Sequence, residues 1–307
     1  MNEHAGTSGQ PEDPIRVETV ELETGGEPAE VDVDIPFGSV TLLLGDGPFS
    51  VTVRHDPQAH LPWTDSVTSL LNWVGERFGA AELAGTPAEA VAQCRIEAGG
   101  GRIVVRGPGS LPLHAVPLGV TVHAPEGSSV RVRAAAGPIT VDGTCGGADL
   151  STGSGAVRLG DADGAVTVRA GGGDVTAGTL RGGLQLRGTG EVAVGGLAAP
   201  SAVSTSDGDV RIGEVSGDVL VRTSSGHVTV ENVASGAIDA TTGSGTIRVG
   251  IGSGVAAEID LSSGSGRAVS ELDVSDMAPD RDVPVSVRAR TGVGDAIVTS
   301  ALTAAAR

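Results

Sequence analysis

Six stretches decide the fold: TGSGAVRL at 152–159, AGGGDVTA at 170–177, GTGEVAV at 188–194, SDGDVRI at 206–212, SSGHVTV at 224–230 and GSGTIRV at 243–249. Each places a glycine just before a short alternating strand. Gly137, Gly155, Gly173, Gly190, Gly208, Gly226 and Gly245 follow one another at spacings of 18, 18, 17, 18, 18 and 19 residues. A second, offset series is Gly147, Gly164, Gly182, Gly217 and Gly236, with Pro200 and Ser201 on the missing beat. A period near 18 holding two turn signals and two strands describes one unit stacked on copies of itself. The fold class is therefore mainly β: a single-stranded, β-helix-like solenoid with coils of ~18 residues and a short α-helical insert.

Composition agrees and narrows the partners. The chain has 49 Gly in 307 residues and no strict three-residue period. Glycine tolerates positive φ, which places it at the tight turns between strands. Aromatic residues make up 2% of the chain and Tyr is absent, so the stacking platforms used for bases and neutral sugars are missing. A net charge of −18 repels phosphate backbones and argues against nucleic acid as a partner.

Working outward from the repeats, the chain divides into four parts. Residues 1–14, MNEHAGTSGQPEDP, read as a disordered polar tail. From 15 to about 57 come alternating strands: Val31, Val33 and Ile35, then Val40, Leu42 and Leu44, then Phe49, Val51 and Val53. These are expected to form the first, capping rungs, with a turn at Gly45–Gly47. A helical insert is expected at about 60–97. Val67, Leu70, Leu71, Val74 and Phe78 share one helix face, with Thr64 or Asp65 as cap, and Thr86, Pro87 and Glu89 open a second helix with a capping box. Both tryptophans, Trp63 and Trp73, fall in this insert. Strands resume at 102 and run to 301: Arg102–Arg106, Leu118–His123 and Val130–Arg133 feed the regular coils of 137–250, and segments at 283–290 and 295–300 are expected to close the array. Residues 302–307 form a tail without pattern.

Period-2 alternation assigns the inside. Val157 and Leu159, Val175 and Ala177, Val192 and Val194, Val210 and Ile212, Val228 and Val230, and Ile247 and Val249 are expected on one inner wall. Ala148 and Leu150, Val166 and Val168, Leu184 and Leu186, and Val219 and Val221 are expected on the other. Outward ladders follow. Arg158, Thr176, Ala193, Arg211, Thr229 and Arg248 run on one face. On the other, Thr167, Gln185, Ser204, Leu220 and Asp239 run beside Ser151, Arg169, Arg187, Thr205, Arg222 and Thr241.

The rungs, together with AEIDLSSGSGRAVSELD at 257–273 and VRARTGVGDAIVTSA at 287–301, resemble the DUF4097 β-strand-repeat family, the adhesin-type toastrack domain, over residues 30–301. The resemblance implies a β-repeat fold and a role in surface adhesion or envelope-stress signalling. It brings no catalytic residues.

The chemistry legible in the residues is sparse. GGGD at 171–174 matches a calcium-binding nonapeptide core once, without the nine-residue repeat such sites require. Asp207, Asp209 and Asp218 lie on neighbouring turns, where oxygen ligands could meet a hard cation, although turns favour Asp anyway. His4, His55, His60, His114, His123 and His227 show no metal spacing and no nucleophile partner. Cys94 and Cys145 read as free structural thiols. LPWTD at 61–65 is internal and lacks the glycine of a sortase signal. The start of the chain has no basic segment followed by an apolar core, and no apolar run is long enough to span a bilayer, so a cytoplasmic location is expected. The reading is a non-enzymatic module, without metal or cofactor, that binds a protein partner or a second copy of itself without entering a membrane. Its candidate surface residues are Trp63, Trp73, Arg169, Arg187 and Arg222. The alternative is a polysaccharide-binding or polysaccharide-lyase-like β-helix.

Overall fold

The computed structural model describes residues 15–19, 27–46, 49–57, 86–109, 113–272 and 283–301. Trp63, Trp73, Phe78, the first expected helix and both tails lie outside the described residues.

Parallel strands stack into two facing walls, and each rung contributes one strand to each wall. In the regular region the chain runs Gly147–Thr152 on the second wall, turns, and continues as Val157–Ala162 on the first. It then turns back into Val166–Ala170. Successive first-wall strands pair in parallel and keep like residues in register: Val157 with Val175, Val175 with Val192, Val192 with Val210, Val210 with Val228, and Val228 with Ile247. The second wall does the same through Ala148, Val166 and Leu184, and then through Ser201, Val219 and Ile238. Both expected inner walls are observed. Val166, Val168, Val210, Ile212, Val221, Val230 and Ile247 are all buried in one continuous core. β-branched side chains fit this pleated, enclosed surface, which is why valine and isoleucine dominate it.

The corners explain the glycine period. Gly226 has φ +139°, and a Cβ there would lie 2.2 Å from the carbonyl oxygen of Gly208, one rung away. Gly190 lacks the positive φ, yet a Cβ there would still stand 2.5 Å from the Gly173 carbonyl oxygen. Rung stacking at ~4.8 Å thus excludes a side chain at this corner whatever the local dihedral. Beside the corner runs a buried hydroxyl ladder. Thr205 Oγ1 donates to the carbonyls of Gly190 (3.1 Å) and Asp207 (2.9 Å), and Thr152, Thr223, Thr242 and Thr291 occupy the same position. Thr152, Thr205, Thr242 and Thr291 supply a donor to the corner carbonyls of Gly137, Gly190, Gly226 and Gly245.

Three expectations are corrected. The residues read as two strands, Val31–Ile35 and Val40–Leu44, belong to one strand, Glu30–Leu44, that bends from the second wall into the first. Its rung is not the outermost, because Arg102–Arg106 and Leu118–Ala124 stack outside it. The segments Val285–Val293 and Ala296–Ser300 do not close the array. They are interposed between the rung of Gly236–Ser244 and Ile247–Ile251 and the terminal rung of Ala257–Ser265 and Ala268–Ser270. At each end, then, a rung is inserted out of chain order, joining residues whose separation no 18-residue count reveals.

The insert returns to the solenoid as expected for its second half. Thr86 caps the helix Pro87–Gln93 in a complete capping box with Glu89, and Ala90 and Val91 are buried. Strand Arg95–Gly99 then pairs antiparallel with Arg102–Arg106, and Ser50–His55 pairs antiparallel with Leu118–Ala124. Ile15–Thr19 pairs antiparallel with Ser50–His55 in turn, so antiparallel strands finish the N-terminal end of both walls.

Candidate binding faces

The outer face of the second wall carries a column of arginines. In spatial order it reads Arg133, Ser151, Arg169, Arg187, Ser204, Arg222, Thr241, Arg290. The three arginines singled out from the sequence, Arg169, Arg187 and Arg222, stand in this one column, exposed. One register detail is corrected. The rung of Leu184–Gly188 and its neighbour Ser201–Asp207 are offset by 17 residues, so Ser204 stands between Arg187 and Arg222, while Thr205 points inward and is buried. Counting 18 from Arg187 lands on Thr205, which is the source of the slip. The neighbouring column runs Asp149, Thr167, Gln185, Ala202, Leu220, Asp239, so Ala202 replaces Ser204 there.

Charge is distributed unevenly along the face. Toward the N-terminal end Asp149 bridges Arg131 (3.6 Å) and Arg169 (3.2 Å). Toward the C-terminal end Asp260 bridges Arg288 (3.3 Å) and Arg290 (3.6 Å). Between them, the two columns from Thr167 to Arg222 contain no carboxylate, and Arg187 and Arg222 make no ion pair or hydrogen bond among the described residues. Exposed Thr189, Ser206 and Ser224 flank this stretch. The sequence has no lysine, so all 20 of its basic side chains are the planar, fork-shaped arginine.

At the N-terminal end of the same wall lies a cluster that the sequence did not announce. Asp32 is buried, and its Oδ2 accepts from Arg106 at 3.1 Å and Arg102 at 3.4 Å, while Arg106 also donates to Asp34 at 3.0 Å. The other oxygen of Asp32 is buried without a hydrogen-bond partner. Glu30, Asp32, Arg102, Arg131, Asp149 and Thr167 line a shallow groove of about 480 Å³ above it. These partners are some 70 residues apart in sequence, and only the out-of-order rung brings them together.

The outer face of the first wall reads Thr52, Thr121, Thr41, Thr140, Arg158, Thr176, Ala193, Arg211, Thr229, Arg248. Two acids stand near Arg211: its Nε lies 4.0 Å from Glu231, and Glu214 occupies an adjoining column. Arg158 and Arg248 make no ion pair among the described residues.

The turn aspartates have structural work. Asp209 Oδ1 accepts from the backbone N–H of His227 at 2.8 Å, and Asp218 Oδ1 accepts from Ala237 at 2.9 Å. Asp174 does the same for Glu191. His227 extends the series, its Nδ1 accepting from Thr246 N–H at 3.0 Å, which assigns the ring proton to Nε2. Asp295 accepts from the Arg267 backbone N–H (2.8 Å) and guanidinium (3.1 Å), and these bonds hold its carboxyl below the usual range. Among the described residues no three His, Cys, Asp or Glu side chains are grouped to hold a metal ion. Cys94 and Cys145 are buried free thiols, and burial pushes the Cys145 thiol up. His114 Nδ1 lies 3.1 Å from the Pro108 carbonyl oxygen and its ring meets Phe37 edge-on. No described helix is long and apolar enough to cross a membrane.

The family model for toastrack DUF4097 matches residues 119–278, just over half of the chain. The chain belongs to the toastrack DUF4097 family. The matched span holds the regular rungs and the arginine column from Arg133 to Arg222, and leaves out the inserted rungs at 30–44 and 285–300. Comparison with curated proteins gives no match. Among solved structures, a candidate adhesin from Bacteroides fragilis is similar at 11% identity, covering 94% of this chain and 98% of the other, with a TM-score of 0.45. A candidate lipid-binding protein from Parabacteroides distasonis is similar at 9% identity, with coverage of 94% and 95% and a TM-score of 0.36. A candidate cell adhesion protein from Clostridium sporogenes is similar at 9% identity, with coverage of 94% and 99% and a TM-score of 0.21.

Proposed function

We propose that this toastrack chain is a non-enzymatic binding module that holds its partner on the outer face of the second wall. The observation that carries this reading is the stretch of two columns from Thr167 to Arg222 without a carboxylate, holding Arg187 and Arg222, two exposed arginines that make no ion pair among the described residues of a protein of net charge −18. Exposed cations left unpaired among so many acids are free to recognise an anionic group, and arginine does so with two parallel N–H donors.

The lyase-like alternative draws on one feature, the groove where Asp32, Asp149, Arg102 and Arg131 converge. Its acids are already committed as acceptors: Asp32 to Arg102 and Arg106, and Asp149 to Arg131 and Arg169. General acid or base work needs a carboxyl free to exchange a proton with substrate.

The test compares Arg169→Glu/Arg187→Glu/Arg222→Glu with Arg158→Glu/Arg211→Glu/Arg248→Glu on the first wall. Cross-linked complexes captured from host extract are expected to be lost only with the second-wall triple, at unchanged circular dichroism. Equal retention by both triples, or release of unsaturated uronates from polygalacturonate by the wild type, contradicts the reading.

A further inference from the structure

We propose that the arginine column binds a linear acidic polysaccharide carrying one anionic group per disaccharide, laid along the solenoid axis. This inference rests on the binding reading above and names its ligand. Three observations lead to it.

The first is shape. Arg133, Arg169, Arg187, Arg222 and Arg290 form one file, one residue wide along its centre, where Thr167, Gln185, Ala202 and Leu220 adjoin it; Arg131 and Arg288 stand beside its two ends, ion-paired to Asp149 and Asp260. At ~4.8 Å per rung the column is about 34 Å long. A single file of charge fits an extended chain rather than the plane of a membrane surface.

The second is period. Arg187 to Arg222 and Arg222 to Arg290 are each two rungs apart, with Ser204 and Thr241 between them, as are Arg133 and Arg169 across Ser151. Arg169 and Arg187 stand on adjacent rungs, which divides the column into a run of two and a run of three. Two rungs span about 9.6 Å. Same-face side chains of an extended peptide repeat at about 6.6 Å and fall out of step with this spacing. An acidic group on every second sugar of an extended glycan keeps step with the run Arg187, Arg222, Arg290.

The third is side-chain chemistry. Hydroxyls alternate with the guanidiniums, and Thr189, Ser206 and Ser224 border them. Such groups exchange hydrogen bonds with sugar hydroxyls while the arginines take the anions in bidentate fashion. The described face offers no aromatic ring on which a base or neutral sugar would stack. The acids of the first wall lie across the sandwich, ~10 Å thick, and at 0.15 M salt a screening length of about 8 Å mutes them.

The experiment uses the full chain at 0.15 M NaCl and a hyaluronan decasaccharide, which bears one carboxylate per disaccharide. The comparison probes are a dextran oligosaccharide, poly-glutamate and anionic phosphatidylglycerol vesicles. Hyaluronan is expected to bind more tightly than any of the others. Arg187→Glu/Arg222→Glu is expected to weaken binding about tenfold or more, while Arg158→Glu/Arg211→Glu leaves it unchanged. A preference for poly-glutamate or vesicles that Arg187→Glu/Arg222→Glu abolishes overturns the polysaccharide and leaves the binding face standing. Binding of none of the probes, or hyaluronan binding indifferent to the second-wall substitutions, overturns the arginine column as the site.

Discussion

The two walls of this solenoid have matching insides and different outsides. Inward, Val210 on the first wall and Val221 on the second are equally sequestered, each packed between its counterparts on adjacent rungs. Outward, the first wall sets Arg211 beside Glu231 and keeps Arg158 and Arg248 three and two rungs from Arg211, whereas on the second Arg187 and Arg222, which make no ion pair among the described residues, continue the file of Arg133 and Arg169. Alternation along a strand separates the two duties, because every second residue is needed for the core and the rest are released to solvent. Stability constrains both walls alike, and recognition has room to differ between them.

The largest effect should come from charging either inside. Val210→Asp and Val221→Asp should each cost several kcal/mol, as expected for an unpaired buried charge, and denaturant melts should show similar losses. A much milder loss on one wall would break the equivalence of the two interiors. Next comes the corner that both walls share. Gly226→Ala meets both a positive φ and the Gly208 carbonyl oxygen at 2.2 Å, and should cost about 2–4 kcal/mol. Gly109, where a Cβ meets nothing within 4 Å, serves as the control and should accept alanine within about 0.5 kcal/mol.

Thr205→Val should cost about 1 kcal/mol through loss of the hydroxyl bonds to Gly190 and Asp207. The neighbouring positions Ala170 and Gly188 lack that hydroxyl, which bounds the effect. Arg187→Glu on the second wall and Thr229→Glu on the first should both change stability by less than about 0.5 kcal/mol, leaving binding as the property that tells the faces apart. The smallest effect is titration of Asp295. Its carboxyl is held below the ordinary range, so its contribution is present above the unfolded value and is lost as pH falls through the folded one. Hydrogen exchange at Ala268–Ser270 should therefore quicken below about pH 4, and Asp295→Asn should remove that pH dependence.

The regular rungs were legible because their neighbours in space are 17–19 residues apart in sequence, so a period in the text is a contact in the fold. Val157, Val175, Val192, Val210, Val228 and Ile247 stack as their spacing implied. The ends were not legible in this way. Asp239 pairs with Arg288, 49 residues on, and Asp32 meets Arg102 and Arg106, about 70 residues on. Such contacts depend on which rung inserts where, and a repeat of similar strands does not encode that. The arginine column was legible in its members Arg169, Arg187 and Arg222. Its extension to Arg133 and Arg290 depended on register, and the absence of carboxylates between Thr167 and Arg222 depended on knowing which column adjoins it.

The central claim is that the second wall's outer face is the recognition surface. Nitrogen-15 NMR of the arginine Nε–Hε groups, followed while hyaluronan decasaccharide is added, tests it most directly. The account predicts that resonances of Arg187 and Arg222 shift first and furthest, with Arg158, Arg211 and Arg248 unmoved. Shifts concentrated on Arg158, Arg211 and Arg248, or an absence of shifts at Arg187 and Arg222, would contradict it.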